Sequence, residues 1–149
     1  KVYKKAIRLE DIKGVINEAS KIGIHTLGFF MFGAPSETIE EIEATIELSR
    51  SLDLDEATFS ITTPLIGTYL YEMIKGDNRY TISDDYADFN YYKNRAFAGD
   101  ELSNKKLEYY QKKALFLFYT NPKRWNYVIK HLLSIKGLIK LFNKLRRFV

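Results

Sequence analysis

Gly28-Phe29-Phe30-Met31-Phe32-Gly33-Ala34-Pro35-Ser36-Glu37, running into Thr38-Ile39-Glu40-Glu41, is the stretch that decides the fold. An apolar run stops at Gly33, the chain turns through Ala34-Pro35-Ser36, and Thr38 with Glu41 three residues later marks a capped helix start. The pattern predicts a buried strand feeding a helix. In parallel α/β sheets ligands sit in the crevice at the carboxyl ends of strands, so this turn is the first candidate site.

Upstream, Ile12, Val15, Ile16, Ala19 and Ile22 recur at spacings of three, four and seven, one apolar stripe on a helix over 9–22 that Gly23 closes. Ile24 to Phe32 then shows no alternation, as expected of a parallel strand covered on both faces. Downstream, a helix from Thr38 to about Leu52 turns Ile39, Ile42, Ile46 and Ser49 inward and Glu40, Glu43, Glu47 and Arg50 outward. A second strand, Ala57 to Thr63, is rich in β-branched residues and stops at Pro64. Strand, helix, strand with short connections predicts two parallel, adjacent strands joined by a right-handed crossover.

A short helix from Gly67-Thr68 through Lys75 ends at Gly76. Residues 80–99 are polar and tyrosine-rich, read as an extended loop with one helical turn. Asp100 or Ser103 caps a further helix through about Thr120, with Leu107, Tyr110, Ala114, Leu117 and Phe118 inward. Asn121-Pro122 breaks it, and two more helices follow at about 122–133 and 135–148. The expected architecture is α/β over residues 1–80, followed by an all-helical region over 81–149.

The chain has 149 residues, 46% hydrophobic and 15% aromatic, enough for one domain with a genuine core but short of the roughly 250 residues of a closed eightfold α/β barrel. It has no cysteine, which excludes a disulfide framework and thiolate ligation of zinc or an iron–sulfur cluster by these residues. Two separated histidines, His25 and His131, build no metal site by themselves, so none is expected. No apolar run of about twenty residues occurs, and a cytoplasmic location is the default. The chain opens on Lys1 rather than Met, which fits a piece of a longer polypeptide.

Charge is uneven. Residues 122–149 hold eight Lys/Arg and no Asp or Glu, leaving 15 basic against 19 acidic residues over 1–121. The tail has Ile135, Leu138, Ile139, Phe142, Leu145 and Val149 on one face and lysines on others, suited to docking on protein or on an anionic membrane. No nucleic-acid-binding module is recognisable.

Two strand ends stand out as a site: Met31 and Gly33 at the first, Thr63-Pro64-Leu65 at the second, opening onto one side of the sheet. Gly33 offers a backbone without a side chain, so a nucleotide-like ligand could approach it. The bland alternative is an ordinary strand-to-helix connection. His25, at the opposite end of its strand, reads as structural, and Glu37 has no second carboxylate or histidine beside it in sequence. No nucleophile arrangement is visible, so no catalytic residue is assigned and chemistry must come from a cofactor.

Ile16-Asn-Glu-Ala-Ser-Lys-Ile-Gly-Ile24, Phe30-Met-Phe-Gly-Ala-Pro-Ser-Glu-Thr38 and Thr63-Pro-Leu-Ile-Gly-Thr-Tyr-Leu-Tyr71 together resemble the carboxyl half of the radical S-adenosylmethionine barrel. The likeness is to the subgroup with a cobalamin-binding domain that includes the anaerobic magnesium-protoporphyrin monomethyl ester oxidative cyclase. The resemblance implies an incomplete TIM-like barrel and a fragment of an iron–sulfur oxidoreductase that cleaves S-adenosylmethionine to a 5′-deoxyadenosyl radical. It also implies a four-iron, four-sulfur cluster in a missing amino-terminal half and, in the subgroup, cobalamin in an upstream domain. Under it, Met31 and Gly33 would contact adenine or ribose, and Thr63, Pro64 and Leu65 would pack near the adenosyl group. Ser36 stands where that family's turn has Gly. The expected partners are the rest of the polypeptide, a small-molecule substrate, and a second copy through the exposed sheet edge. The rival reading is a non-enzymatic module that binds a membrane or protein through its basic tail.

Overall fold

The computed structural model describes residues 8–89, 97–99, 102–125, 129, 137 and 139. Its elements run α1 (Leu9–Lys21), β1 (Leu27–Phe32), α2 (Ile39–Ser51), β2 (Glu56–Ile61), α3 (Tyr69–Ile74), β3 (Tyr80–Ile82), β4 (Phe97–Gly99) and α4 (Asn104–Tyr119). The class is α/β, with a small parallel two-stranded sheet and helices.

Local chemistry explains the boundaries. Gly23, at φ +74°, ends α1 in the left-handed conformation that glycine adopts without steric cost, and the Ile24 amide reaches back to the Ala19 carbonyl at 2.9 Å. Thr38 caps α2 through a reciprocal pair: its hydroxyl accepts from the Glu41 amide, and the Glu41 carboxylate accepts from the Thr38 amide at 3.0 Å. Thr68 and Ser103 cap α3 and α4 in the simpler one-way manner.

β1 and β2 pair in parallel, Leu27 opposite Glu56 through Phe32 opposite Ile61. The register puts Gly28, Phe30, Phe32, Ala57, Phe59 and Ile61 on one face, and that face is the core. Phe59 stacks on both Phe30 and Phe32, with centroids 5.2 and 5.7 Å away, and meets Phe118 of α4 edge-on at 6.2 Å. Ile42 and Ile46 of α2 and Leu107, Ala114 and Phe118 of α4 complete the same cluster. A Cβ on Gly28 would stand 2.6 Å from Leu54 Cδ1, so the missing side chain admits Leu54 to the core.

The other face departs from expectation. β1 was expected to be covered on both sides, yet Phe29 is 75% exposed and Met31 45%. Both helices that pack on the sheet, α2 and α4, join the cluster on the opposite face, so a continuous apolar run here has one covered side. The stretch read as an extended loop carries a short antiparallel pair, β3 with β4, around one helical turn at Tyr86–Asp88. The two helices expected beyond Pro122 fall mostly outside the described residues; those that are described show a 3-10 turn at Pro122–Arg124 and helical backbone at Trp125, Ile129, Gly137 and Ile139.

The two edges of the sheet also differ. The Glu56 amide bonds the Thr26 carbonyl and the Thr62 amide bonds the Phe32 carbonyl, so alternate residues of β2 face β1 and Ala57, Phe59 and Ile61 direct their backbone outward. Side chains take up that outer edge. Gln111 Nε2 donates to the Phe59 carbonyl at 2.8 Å, the Tyr119 hydroxyl lies 3.4 Å from both the Ala57 amide and carbonyl, and Thr63 Oγ1 donates to the Ile61 carbonyl. No described strand pairs with the outer edge of β1.

Arg124 is buried against the end of α2. Its Nη2 donates to the carbonyls of Ser49 (3.1 Å) and Leu52 (2.8 Å), and the guanidinium lies 3.8 Å over the Phe118 ring. Those carbonyls belong to the last turn of α2 and its cap, where a cation complements the helix dipole. Burial holds the Arg124 pKa below its usual value.

Candidate functional site

The strand tips come together as the crossover requires. The Thr62 amide donates to the Phe32 carbonyl at 2.7 Å, carrying the pairing one residue past β2 and setting Gly33 beside Thr62-Thr63. After β1 the chain makes a four-residue turn closed by the Glu37 amide on the Ala34 carbonyl at 3.0 Å, with Pro35 and then Ser36 at its corners. Ser36 has φ +62°, the conformation a type II turn demands of its third residue and that glycine meets most easily.

Glu37 pins this turn. Its carboxylate accepts from the amides of Gly33 and, at 3.2 Å, Ala34. Burial raises the Glu37 pKa, against the lowering effect of those two backbone donors, and Glu41 adds to the rise. The carboxylate is thus committed to backbone amides. A second tie comes from the far side, where the Ser36 amide donates to the Tyr80 hydroxyl at 3.1 Å and draws β3 to the turn.

The five residues singled out in sequence are gathered here but differ in access. Met31 and Leu65 expose 45% and 40% of their surface. Gly33, Thr63 and Pro64 are buried. A Cβ on Gly33 would lie 3.0 Å from Leu107 Cδ1, on the core side, and its amide is held by Glu37, so this glycine serves packing beneath the tip. Beyond Leu65, the exposed side chains of Ile66, Tyr69 and Met73 extend the apolar rim.

At the opposite end, His25 Nε2 lies 3.1 Å from Glu56 Oε1 and Nδ1 lies 3.4 Å from Asp55 Oδ2, while the Thr26 amide and hydroxyl also reach Asp55. This network tethers the two strand starts. Among the described residues no group of three or more His, Asp or Glu side chains could hold a metal ion, and no helix is long and apolar enough to cross a membrane.

Sequence reasoning missed Gln111 and the hydroxyls of Thr58 and Ser60. Gln111 falls at the spacing of the inward face, Leu107, Gln111, Ala114, Phe118, which was a usable signal. Thr58 and Ser60 alternate with buried Ala57, Phe59 and Ile61, and that alternation marked a face of different character.

Comparison with known proteins gives relatives named as methyltransferases. An uncharacterised methyltransferase of Pyrococcus horikoshii is 34% identical over 143 residues, which is 85% of this chain and 28% of the relative. Cytidylyl-2-hydroxyethylphosphonate methyltransferase of Streptomyces wedmorensis is 31% identical over 75 residues, 46% of this chain and 14% of the relative. Bacteriochlorophyllide d C-12(1)-methyltransferase of Chlorobaculum tepidum is 27% identical over 100 residues, 67% of this chain and 21% of the relative. The chain thus spans between 14% and 28% of each relative's length. No protein-family model matches it.

These names correct the expectation drawn from the resemblance. A radical S-adenosylmethionine, iron–sulfur oxidoreductase was expected, and the relatives are named for methyl transfer, none of them as an oxidoreductase.

Proposed function

We propose that this chain is part of a methyltransferase and that the carboxyl end of its parallel strand pair forms one wall of the site for the methyl donor, S-adenosylmethionine. The observation that carries the reading is the joined pair of strand tips, with Met31 and Leu65 accessible beside a turn that Glu37 holds in shape. The relative that matches 85% of the chain supports the chemistry.

The residues fit such a donor. Its adenosyl group has a flat apolar face, and Met31 and Leu65 offer apolar surface that excludes water, while buried Gly33, Thr63 and Pro64 keep the tip rigid beneath it. When bound, the donor supplies an electrophilic methyl group on a sulfonium centre; this chain's part is to bind and orient it. The acceptor is a small molecule.

In this proposal β1 and β2 belong to an incomplete α/β barrel whose other strands come from the rest of a longer polypeptide and lie beyond the open edge of β1. The strand tips carry the donor wall, and α4 buttresses the sheet that bears them. A cytoplasmic setting and contact of the basic tail with a membrane surface belong to the same proposal.

The test is equilibrium dialysis of the full polypeptide against S-adenosylmethionine labelled in the methyl group. Saturable binding, weakened at least tenfold by Met31→Lys through repulsion of the sulfonium, is expected. An absence of saturable binding overturns the reading.

A further inference from the structure

We propose that Tyr80 is a positioning residue for the donor site: its hydroxyl, brought from a distant segment, holds the turn after β1 in the shape that the strand tips present. The inference rests on the methyltransferase reading above and adds a control on that site from outside the parallel sheet.

The backbone donors of the turn single Tyr80 out. The Gly33 and Ala34 amides donate to the Glu37 carboxylate, Pro35 has no amide, the Glu37 amide donates to the Ala34 carbonyl, and the Thr38 amide donates to the Glu41 carboxylate. Each of these bonds closes within residues 33–41. The Ser36 amide is the exception, donating to the Tyr80 hydroxyl at 3.1 Å across 44 residues. Ser36 is also the residue least suited to its own conformation, since φ +62° brings its Cβ close to the carbonyl oxygen that follows. The bond from outside therefore falls on the strained residue of the turn and offsets a cost that the turn otherwise carries by itself.

Tyr80 is itself held in place. The Asp77 carbonyl accepts from the Tyr80 amide at 3.0 Å and closes a turn after α3. The Asp77 carboxylate accepts from the Arg79 amide at 3.1 Å and from Arg79 Nη2 at 2.7 Å, and that guanidinium lies 5.5 Å over the Tyr80 ring. Tyr80 then opens β3, opposite Gly99 of β4. With its ring against Arg79 and its backbone in β3, Tyr80 presents its hydroxyl from a built support. Residues 77–82 are a strap fastened to the site turn at Ser36, and displacing the strap frees Ser36 to leave its left-handed conformation.

Titration calorimetry of the full polypeptide with S-adenosylmethionine tests this in a cycle of Tyr80→Phe, Ser36→Gly and the double variant. Tyr80→Phe keeps the ring and removes the acceptor. It is expected to weaken binding about 3- to 10-fold and to speed hydrogen exchange of the Ser36 amide by a similar factor, the worth of one hydrogen bond. Glycine accepts φ +62° without steric cost, so in the Ser36→Gly background Tyr80→Phe is expected to change affinity by less than about twofold. A tyrosine that only anchors β3 would lower the thermal midpoint equally in both backgrounds and leave affinity alone; the same melts check that each variant is folded. Wild-type affinity in folded Tyr80→Phe, or a weakening that persists undiminished in the Ser36→Gly background, overturns this inference and leaves the methyltransferase reading standing. Exchange of the wild-type Ser36 amide at the rate of an unprotected amide does the same without any variant. No binding by the wild-type protein overturns both.

Discussion

The side-chain amide of Gln111 donates to the backbone carbonyl of Phe59 at 2.8 Å, across 52 residues of chain, and both residues are buried. A helix side chain thereby takes the place that a neighbouring strand would fill on that edge of β2. Replacing Gln111 with Leu keeps the volume but orphans a buried carbonyl, which costs about 1–3 kcal/mol. Urea denaturation should show the midpoint falling with little change in slope. An unchanged midpoint would mean that water or another donor reaches that carbonyl.

Glu37 makes stability depend on pH in a direction opposite to that of an ion-paired carboxylate. Burial raises its folded pKa above the ordinary 4.5, so the folded protein holds the proton more tightly than the unfolded chain does. The contribution is fully present below pH 4.5 and is lost as pH rises through the folded value. Glu37→Gln cannot ionise yet still offers an oxygen to the Gly33 and Ala34 amides. It should match wild type below pH 4.5 and equal or exceed its stability at pH 7. Glu37→Ala, which strands both amides, should lose about 1–3 kcal/mol at either pH. Thermal melts across pH 4–8 measure this.

Ser36 and Gly33 both have positive φ, at +62° and +81°. Ser36→Gly removes a left-handed strain of about 1–2 kcal/mol and adds back about 0.5–1 kcal/mol of unfolded-chain entropy, a net gain of up to about 1.5 kcal/mol. Gly33→Ala should lose about 1–2 kcal/mol from strain alone, and more as the new methyl displaces Leu107. Differential scanning calorimetry would show Tm moving in opposite directions for the two.

Arg124 acts through packing as much as through charge. Arg124→Ala removes the cap on Ser49 and Leu52 and the cover over Phe118, with an expected loss of about 2–4 kcal/mol. Arg124→Met keeps most of the packing and gives up the cap, so about 1 kcal/mol is expected. Equal losses in guanidinium chloride melts would show that the stem's packing contributes nothing.

What the sequence disclosed and what it hid divide along physical lines. The capping pair Thr38–Glu41, the closing Gly23 and the inward set Ile42, Ile46 and Ser49 were legible because each depends on neighbours within one or two turns. The parallel pairing followed from crossover geometry, which sequence order fixes. Exposure of Phe29 and Met31 was not legible, since an unbroken apolar run does not tell which of two faces a helix will cover. The pairing of β3 with β4 was hidden because three-residue strands far apart in sequence carry no periodicity. At the site, position was legible and access was not: Met31 and Leu65 reach the surface, whereas Gly33, Thr63 and Pro64 turn inward.

The difference between the sheet's two margins limits how it can be extended. Among the described residues, Gln111, Tyr119 and Thr63 terminate one margin and no strand pairs with the outer edge of β1, so strand addition has one open side. Once a strand of the longer polypeptide proposed above takes that side, no template remains for a second copy. An endless fibre needs two complementary margins per molecule, and this sheet has one.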